Sequence, residues 1–256
     1  MAAMAPSPIH PSSEARPGAL SLSGLALAQS ALAGLEREDR VVSVPSFEQV
    51  LPDGGLPRGA VVEFACPRSL GQATSLALRA CASAQREALL RGGEPAWCAW
   101  LDPQETLYAP GVAAHGVVLD RLLVVHPPHD ALARIAVRMV ASRVFSVLII
   151  DTLGVPCGVS SKGVSSKQGE ISLRRWHNVV RRFAIAARDG DTSVVLLTEQ
   201  ESARTVGLPV AMRVELEQPE DGRLRMKVAK ERRGRIGMPS ELAYTRPAHQ
   251  RAMRSA

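Results

Sequence analysis

No stretch of this 256-residue chain approaches the roughly 18 consecutive apolar residues of a membrane span. The longest dense apolar block, Val144–Ile150, has the length of a buried strand. Paired cysteines are missing as well. Cys66, Cys81, Cys98 and Cys157 show no CxxC spacing, which argues against a zinc site and a disulfide framework and fits a reducing cytoplasm. His126-Pro127-Pro128-His129-Asp130 has no third His or Cys nearby and reads as a loop, not a metal site. Leu20–Leu35 is rich in Leu and Ala but makes a poor secretory signal. Arg16 is the only fixed positive side chain before it, and Ser and Gln interrupt the run. There is no internal repeat and no second domain. The expectation is a cytoplasmic protein, free of metal and of membrane, with the nucleoid as a place of work if DNA is a partner.

What is present suffices for a core. Apolar residues make up 46% and charged residues 22%, a balance that rules out wholesale disorder. Lys and Arg number 31 against 25 Asp and Glu, and the net charge of +6 favours acidic partners such as nucleic acid. We divide the chain into a disordered tail (1–22), a helix–strand arm (23–46), a core (47–245) and a flexible basic tail (246–256). Leu25, Leu27, Leu32 and Leu35 lie among good helix formers, so 23–38 reads as a helix, followed by a short strand at Val41–Val44. Pro52–Pro57 reads as a turn.

Strands are expected at Ala60–Ala65, Ala96–Leu101, Leu122–His126, Val144–Asp151 and Ser193–Thr198. Helices are expected at Ala73–Arg91, Tyr108–His115, Asp130–Ser142 and Ile171–Arg188. Alternating strands and helices mean βαβ units and a mostly parallel sheet with helices on both faces. Ala211–Leu216 and Leu224–Lys230 read as a C-terminal hairpin added at one sheet edge, turning at Pro219–Gly222.

The first strand of that series ends in Cys66-Pro67-Arg68-Ser69-Leu70-Gly71-Gln72-Ala73. The spacing is that of a phosphate-binding loop, G-x-x-x-x-G-K-[ST], between strand and helix. Only Gly71 survives. Gln72 offers a neutral amide where a lysine would meet phosphate, and Ala73 lacks the hydroxyl that would hold Mg²⁺. Cys66 carries a Cβ where glycine would tolerate unusual backbone angles. The helix N-terminus still offers amides to an anion, but a strand–turn–helix with no ligand is the plainer reading. Ser146–Asp151 is an apolar strand ending in Asp, as in a Walker B element. Without its partners, Asp151 serves equally well as a cap for the turn that follows.

Leu51–Gly59 leading into Val61-Val62-Glu63 resembles the approach to the phosphate loop in the RecA recombinase family. Trp100-Leu101-Asp102, His115–Val117 leading to Leu122-Leu123, the Asp151 strand, Val194–Gln200 and Arg225–Lys230 continue the likeness in order, over roughly 24–244. The resemblance implies a RecA-like fold of the P-loop NTPase type. It also implies a catalytic Glu near Gln104, where Gln cannot act as a carboxylate base and Glu105 is one residue away. It sets Gln200 at the residue that couples nucleotide to a DNA loop, and Val159–Gly169, with Lys162 and Lys167, at the first DNA loop. The long second DNA loop is reduced here to Glu201–Val210. Within the superfamily, Tyr108–Gly116 and the short chain are most similar to ImuA proteins, the RecA-fold accessory proteins of bacterial translesion mutagenesis.

Two basic clusters stand out. The helix from Ile171 puts Leu173, Trp176, Val180, Phe183 and Ala187 on a core face, which leaves Arg174, Arg175, Arg181 and Arg182 largely on the others. Trp176 therefore reads as core and not as a stacking platform. Strand alternation sets Arg223, Arg225 and Lys227 opposite Leu224, Met226 and Val228, with Lys230, Arg232, Arg233 and Arg235 following. No base-reading motif accompanies either cluster. Both suit sequence-independent contact with phosphates. A solvated helix face and a charged strand protected from edge-to-edge association are the plain alternatives.

The expectation is a non-enzymatic adaptor with no catalytic residue and no ATP. The ImuA resemblance implies RecA, an ImuB-like protein and an error-prone polymerase as partners, with Leu25, Leu32 and Leu35 as a docking stripe. The alternatives are a DNA-dependent ATPase with an unorthodox nucleotide site, or a RecA-like regulator of recombination or cell division.

Overall fold

Strand β3, Ala60–Cys66, is apolar on both faces apart from Glu63, and every residue from Val61 to Cys66 is buried. A strand of that kind belongs in the interior of a parallel sheet covered on both sides. The computed structural model places it there. It describes residues 40–45, 47–67, 72–153, 155, 173–200, 207–218, 224–237 and 240–241, with backbone alone for 173–175 and 241. All of these lie in one compact unit, 38–256. The expected tails, the helix at 23–38 and the turn at 219–222 lie outside the described residues.

The other elements are β1 (Val41–Ser43), β2 (Gly55–Pro57), α1 (Gln72–Leu90), β4 (Cys98–Leu101) and α2 (Ala109–Ala114). They continue with β5 (Leu122–Val125), α3 (His129–Ser142), β6 (Val147–Asp151), α4 (Leu173–Arg188) and β7 (Ser193–Glu199). The chain then adds β8 (Met212–Glu217), β9 (Arg225–Glu231) and β10 (Ser240–Glu241). The main sheet has the order β10-β9-β8-β3-β7-β6-β4-β5. From β8 to β5 all neighbours pair parallel, whereas β9 runs antiparallel to β8 and β10 antiparallel to β9. The fold is α/β and RecA-like, with the C-terminal hairpin joined to the parallel core through β8.

Helix α1 covers one face. It buries Leu76, Ala77, Ala80, Cys81 and Ala84 against Val62, Phe64, Trp100 and Ile149. Helices α3 and α4 cover the other, where Leu132, Val140, Trp176, Val180 and Phe183 meet Val61, Leu101, Leu148 and Leu196. Trp176 is core, as its spacing implies, and meets Phe183 edge-to-face at 5.9 Å.

Three departures from the sequence reading have physical causes. Gly55–Pro57 is a strand and not part of a turn, and it pairs antiparallel with β1. Only the 3₁₀ turn before it, Pro52–Gly54, bends the chain. Gly55 itself is extended; a Cβ there would lie 2.2 Å from the Val42 carbonyl oxygen, so glycine serves close strand approach. Next, Val144–Ser146 precede β6. Val144 is exposed, Phe145 turns into the α3–α4 core, and Ser146 N–H donates a single bridging bond to Trp97 O at 2.9 Å. Ala96-Trp97 likewise precede β4.

The segment Val42–Leu51 is fastened to the α1 face by Val42, Val44, Phe47 and Leu51. Phe47 is fully buried and meets Phe64 edge-to-face at 5.9 Å and 85°. Phe47→Ala is expected to cost about 3–5 kcal/mol of unfolding free energy, read by urea denaturation. Leu90→Ala, at a position 83% exposed, is expected to stay within about 0.5 kcal/mol of the parent.

Candidate functional site

Parallel pairing gathers the carboxyl ends of the central strands at one pole, where open α/β sheets hold their ligands. Cys66 is opposite Glu199, Asp151 opposite Leu197, and Leu101 opposite Ile150. Cys66, Asp102, Asp151, Glu199 and Gln200 thus share that end of the sheet.

Cys66 is fully buried, with Sγ 3.7 Å from the Thr198 carbonyl oxygen. Burial first, then the charges of Asp151 and Glu199, push its thiol up to about 12. A thiol held neutral in this way is a packing group and not a nucleophile. Asp151 is nearly buried and accepts a hydrogen bond from Leu153 N–H at 3.0 Å. It caps the turn after β6. Burial pushes its carboxyl up to about 7, opposed by the Leu153 bond and reinforced by the negative charge of Asp102.

Asp102 is fully buried and organises the loop after β4. Leu107 N–H donates to its Oδ2 at 2.8 Å and Thr106 Oγ1 to its Oδ1 at 3.4 Å. Its carbonyl oxygen lies 2.9 Å from His126 Nδ1. Gln104 is half-buried, with Nε2 3.0 Å from His129 Nε2 at the start of α3. His126 and His129 therefore have separate partners. Glu105 is exposed in the left-handed region at φ 56°.

The residues of the degenerate phosphate loop are tied into the fold. Gln72 is 6% exposed, and its amide donates to Gln218 Oε1 at 3.2 Å, across from the end of β8. Ala73 is fully buried. Gln200 is half-buried, and its Nε2 has no hydrogen-bond partner among the described residues. Among the described residues, the carboxylates Asp102, Asp151 and Glu199 mark this pole, while position 72 carries no ammonium and position 73 no hydroxyl. That donor set does not fit a Mg²⁺-nucleotide held in the usual P-loop manner. Gly71 lies outside the described residues.

The basic positions divide. Arg181 and Arg182 are exposed on α4; Arg174 and Arg175 lie on its first turn, in backbone only. Lys162, Lys167, Leu25, Leu32 and Leu35 lie outside the described residues, as does Arg223. On β9, Arg225 and Lys227 are half-buried directly opposite Glu217 and Glu215 of β8. The Lys230 ammonium donates to Leu208 O at 2.9 Å. Arg232 and Arg233 are exposed in the following turn. Arg235 grips Asp53 through two hydrogen bonds, at 3.0 and 2.8 Å.

A buried polar group that sequence reasoning did not single out lies under this pole. Glu63 on β3 accepts a hydrogen bond from Thr198 Oγ1 at 2.9 Å, and Arg213 Nε lies 3.9 Å from its other oxygen. Burial raises its pKa, opposed by the Thr198 bond and by the nearby cations Arg213 and Lys230. Its one signal in the sequence is a single acid inside an otherwise apolar strand.

The strand order and this pole define a fold of the P-loop NTPase type whose phosphate-gripping side chains are replaced. The family described as the RecA N-terminal domain matches residues 34–198. Similar proteins include "Protein RecA" of Acidiphilium cryptum, 40% identical over 149 residues, covering 57% of this chain and 41% of that protein. "Protein RecA" of Gluconacetobacter polyoxogenes is 31% identical over 206 residues, covering 77% of this chain and 57% of that protein. "Protein RecA" of Nitrobacter winogradskyi is 32% identical over 149 residues, covering 57% and 39%. The chain belongs to the RecA family. It spans about half the length of the curated relatives it matches. Among the described residues, no helix is long and apolar enough to cross a membrane.

Asp151 gives a pH test. The unfolded carboxyl ionises near 3.8, whereas the folded one keeps its proton to about 7. Between those values the folded state binds more protons, so this group makes the fold less stable as pH rises through that window. Above about 7 the loss is complete, on the order of a few kcal/mol. Asp151→Asn keeps the acceptor for Leu153 and removes the ionisation. Denaturant melts should show the variant more stable than the parent at pH 8, with the gain gone at about pH 4. An equal difference at both pH values would contradict the assignment.

Proposed function

We propose that this chain is a non-catalytic RecA-family adaptor in DNA-damage-induced translesion synthesis. In this reading it contacts RecA and an ImuB-like protein, through which an error-prone polymerase is recruited, and it restrains recombination. One observation carries the non-catalytic part: Gln72, at the position of the phosphate-binding lysine, is buried and hydrogen-bonded to Gln218. A P-loop works by presenting a cation and a metal-holding hydroxyl to the phosphates; Gln72 and Ala73 present neither. The translesion assignment rests on the likeness of Tyr108–Gly116 to ImuA proteins.

ATP hydrolysis is expected to stay at background with or without DNA, in a coupled assay of the full chain. DNA-stimulated turnover that Asp151→Asn abolishes would overturn this reading in favour of an unorthodox ATPase.

Restraint of recombination has its own test. A RecA-family chain that joins a filament end without a working nucleotide site cannot support the next subunit. Leu25, Leu32 and Leu35 form the expected docking stripe, and burying one such Leu is worth roughly 1.5–3 kcal/mol. Added full-length protein is expected to slow RecA-catalysed strand exchange, and a Leu25/Leu32/Leu35→Ser variant is expected to slow it less. No inhibition by the full-length chain would remove the capping idea, and equal inhibition by both forms would remove the stripe.

A further inference from the structure

Helices α3 and α4 lie side by side on one face of the sheet, each buried along one stripe in the same core. Arg143, just after α3, reaches Asp189, just after α4, at 3.6 Å, so their carboxyl ends are neighbours. The helices share one core, and their outward stripes are neighbours. On α3 that stripe holds Arg134 and Arg138, one turn apart; on α4 it holds Arg181, Arg182 and Arg188. All five are exposed. None has an acidic partner among the described residues, although Arg143 beside them does. The two helices carry seven arginines (Arg174 and Arg175 included) and one aspartate, Asp130. That is +6, equal to the net charge of the whole chain.

We infer that the outer face of α3 and α4 binds the phosphate backbone of duplex DNA, with Arg134 and Arg138 of α3 as contacts. This rests on the reading that the chain works on DNA. It adds a second helix and names the form of the nucleic acid. Three features favour a phosphate backbone. Every cation on these helices is arginine, whose planar fork matches phosphate oxygens. Packed helices lie about 8–10 Å apart, and residues four apart rise about 6 Å, so the two rows form a grid of charges on the scale of a DNA groove. Among the described residues the stripes also lack the apolar anchors of a protein interface, Ile185 being the one large apolar side chain exposed on them. A duplex is favoured over a single strand because no aromatic ring is exposed on either helix to stack an unpaired base. Trp176 and Phe183 are both buried.

The test is fluorescence anisotropy with the full chain, a labelled duplex and a labelled oligo-dT of equal length, over a salt series. Arg134→Ala/Arg138→Ala is expected to flatten the duplex log–log salt slope by about 1.8, two contacts at about 0.9 each. Between about 50 and 200 mM salt the parent should then lose roughly tenfold more duplex affinity than the variant. Binding of oligo-dT should be unchanged, and so should the thermal melt. Arg→Gln at both positions replaces the Ala pair if the latter fails to fold. An unchanged duplex slope in the α3 variant, alongside a reduced slope in Arg181→Ala/Arg182→Ala, overturns the α3 contact and leaves the DNA reading standing. Poly-glutamate competing better than duplex at equal charge assigns the face to an acidic protein instead. No binding of either DNA at 50 mM salt overturns the inference together with direct DNA contact, while the ATPase and strand-exchange results still decide the adaptor reading.

Discussion

The pairing of β3 on both sides, to β7 and to β8, is the constraint on which the rest of the structure depends. A strand hydrogen-bonded along both edges and covered on both faces has no wet side. Its side chains must be apolar or internally satisfied, and six of its seven are buried. Glu63 meets that demand in part: Oε1 accepts from Thr198 on one neighbour, while Oε2 has no hydrogen-bond partner among the described residues and faces Arg213 Nε of the other at 3.9 Å. The charge is therefore held by the same two strands that bury it. Removing the Thr198 hydroxyl would leave a buried carboxyl short of its hydrogen bond, a cost of about 1–3 kcal/mol.

The same pairing decides what the pole can be. Parallel register sets Cys66 level with Glu199 and Asp151 two residues short of them, at Leu197, and burial acts on Cys66 and Asp151. Beside a P-loop lysine and a bound metal, such carboxylates would face cations. Here, among the described residues at this pole, relief comes from proton retention on Asp151 and from a neutral thiol on Cys66. Each shift lowers the charge density of a site with no cation at position 72. The replacements are thus mutually consistent, a sign that local choices agree with one global state.

Much of this was legible in the sequence, for reasons that can be named. Strands such as Val194–Leu197 and helices such as 173–188 announce themselves by periodicity and by alternation of type. The degenerate phosphate loop was legible because its spacing survives the loss of its side chains. β2 was not, since Gly55-Leu56-Pro57 is enclosed by turn formers and becomes a strand only through β1. The balance of the basic row on β9 was hidden too. Arg225 and Lys227 look like a free cationic strand until register sets Glu217 and Glu215 against them. Arg134 and Arg138 failed to register for the opposite reason: isolated in sequence, they join Arg181 and Arg182 only when α3 packs beside α4.

Gln72 shows what an amide changes at a phosphate-loop position. A lysine ammonium at a position only 6% exposed needs an anion opposite it, or it bears a large desolvation cost. In a P-loop the phosphates are that anion, so the loop is electrostatically complete only when loaded. An amide asks for less. One hydrogen bond to Gln218 engages it, and that bond joins the first turn of α1 to the end of β8, 146 residues away. The contact ties the first turn of α1 to the C-terminal hairpin. At position 72, a single neutral hydrogen bond does the electrostatic work for which a lysine would need a counter-anion.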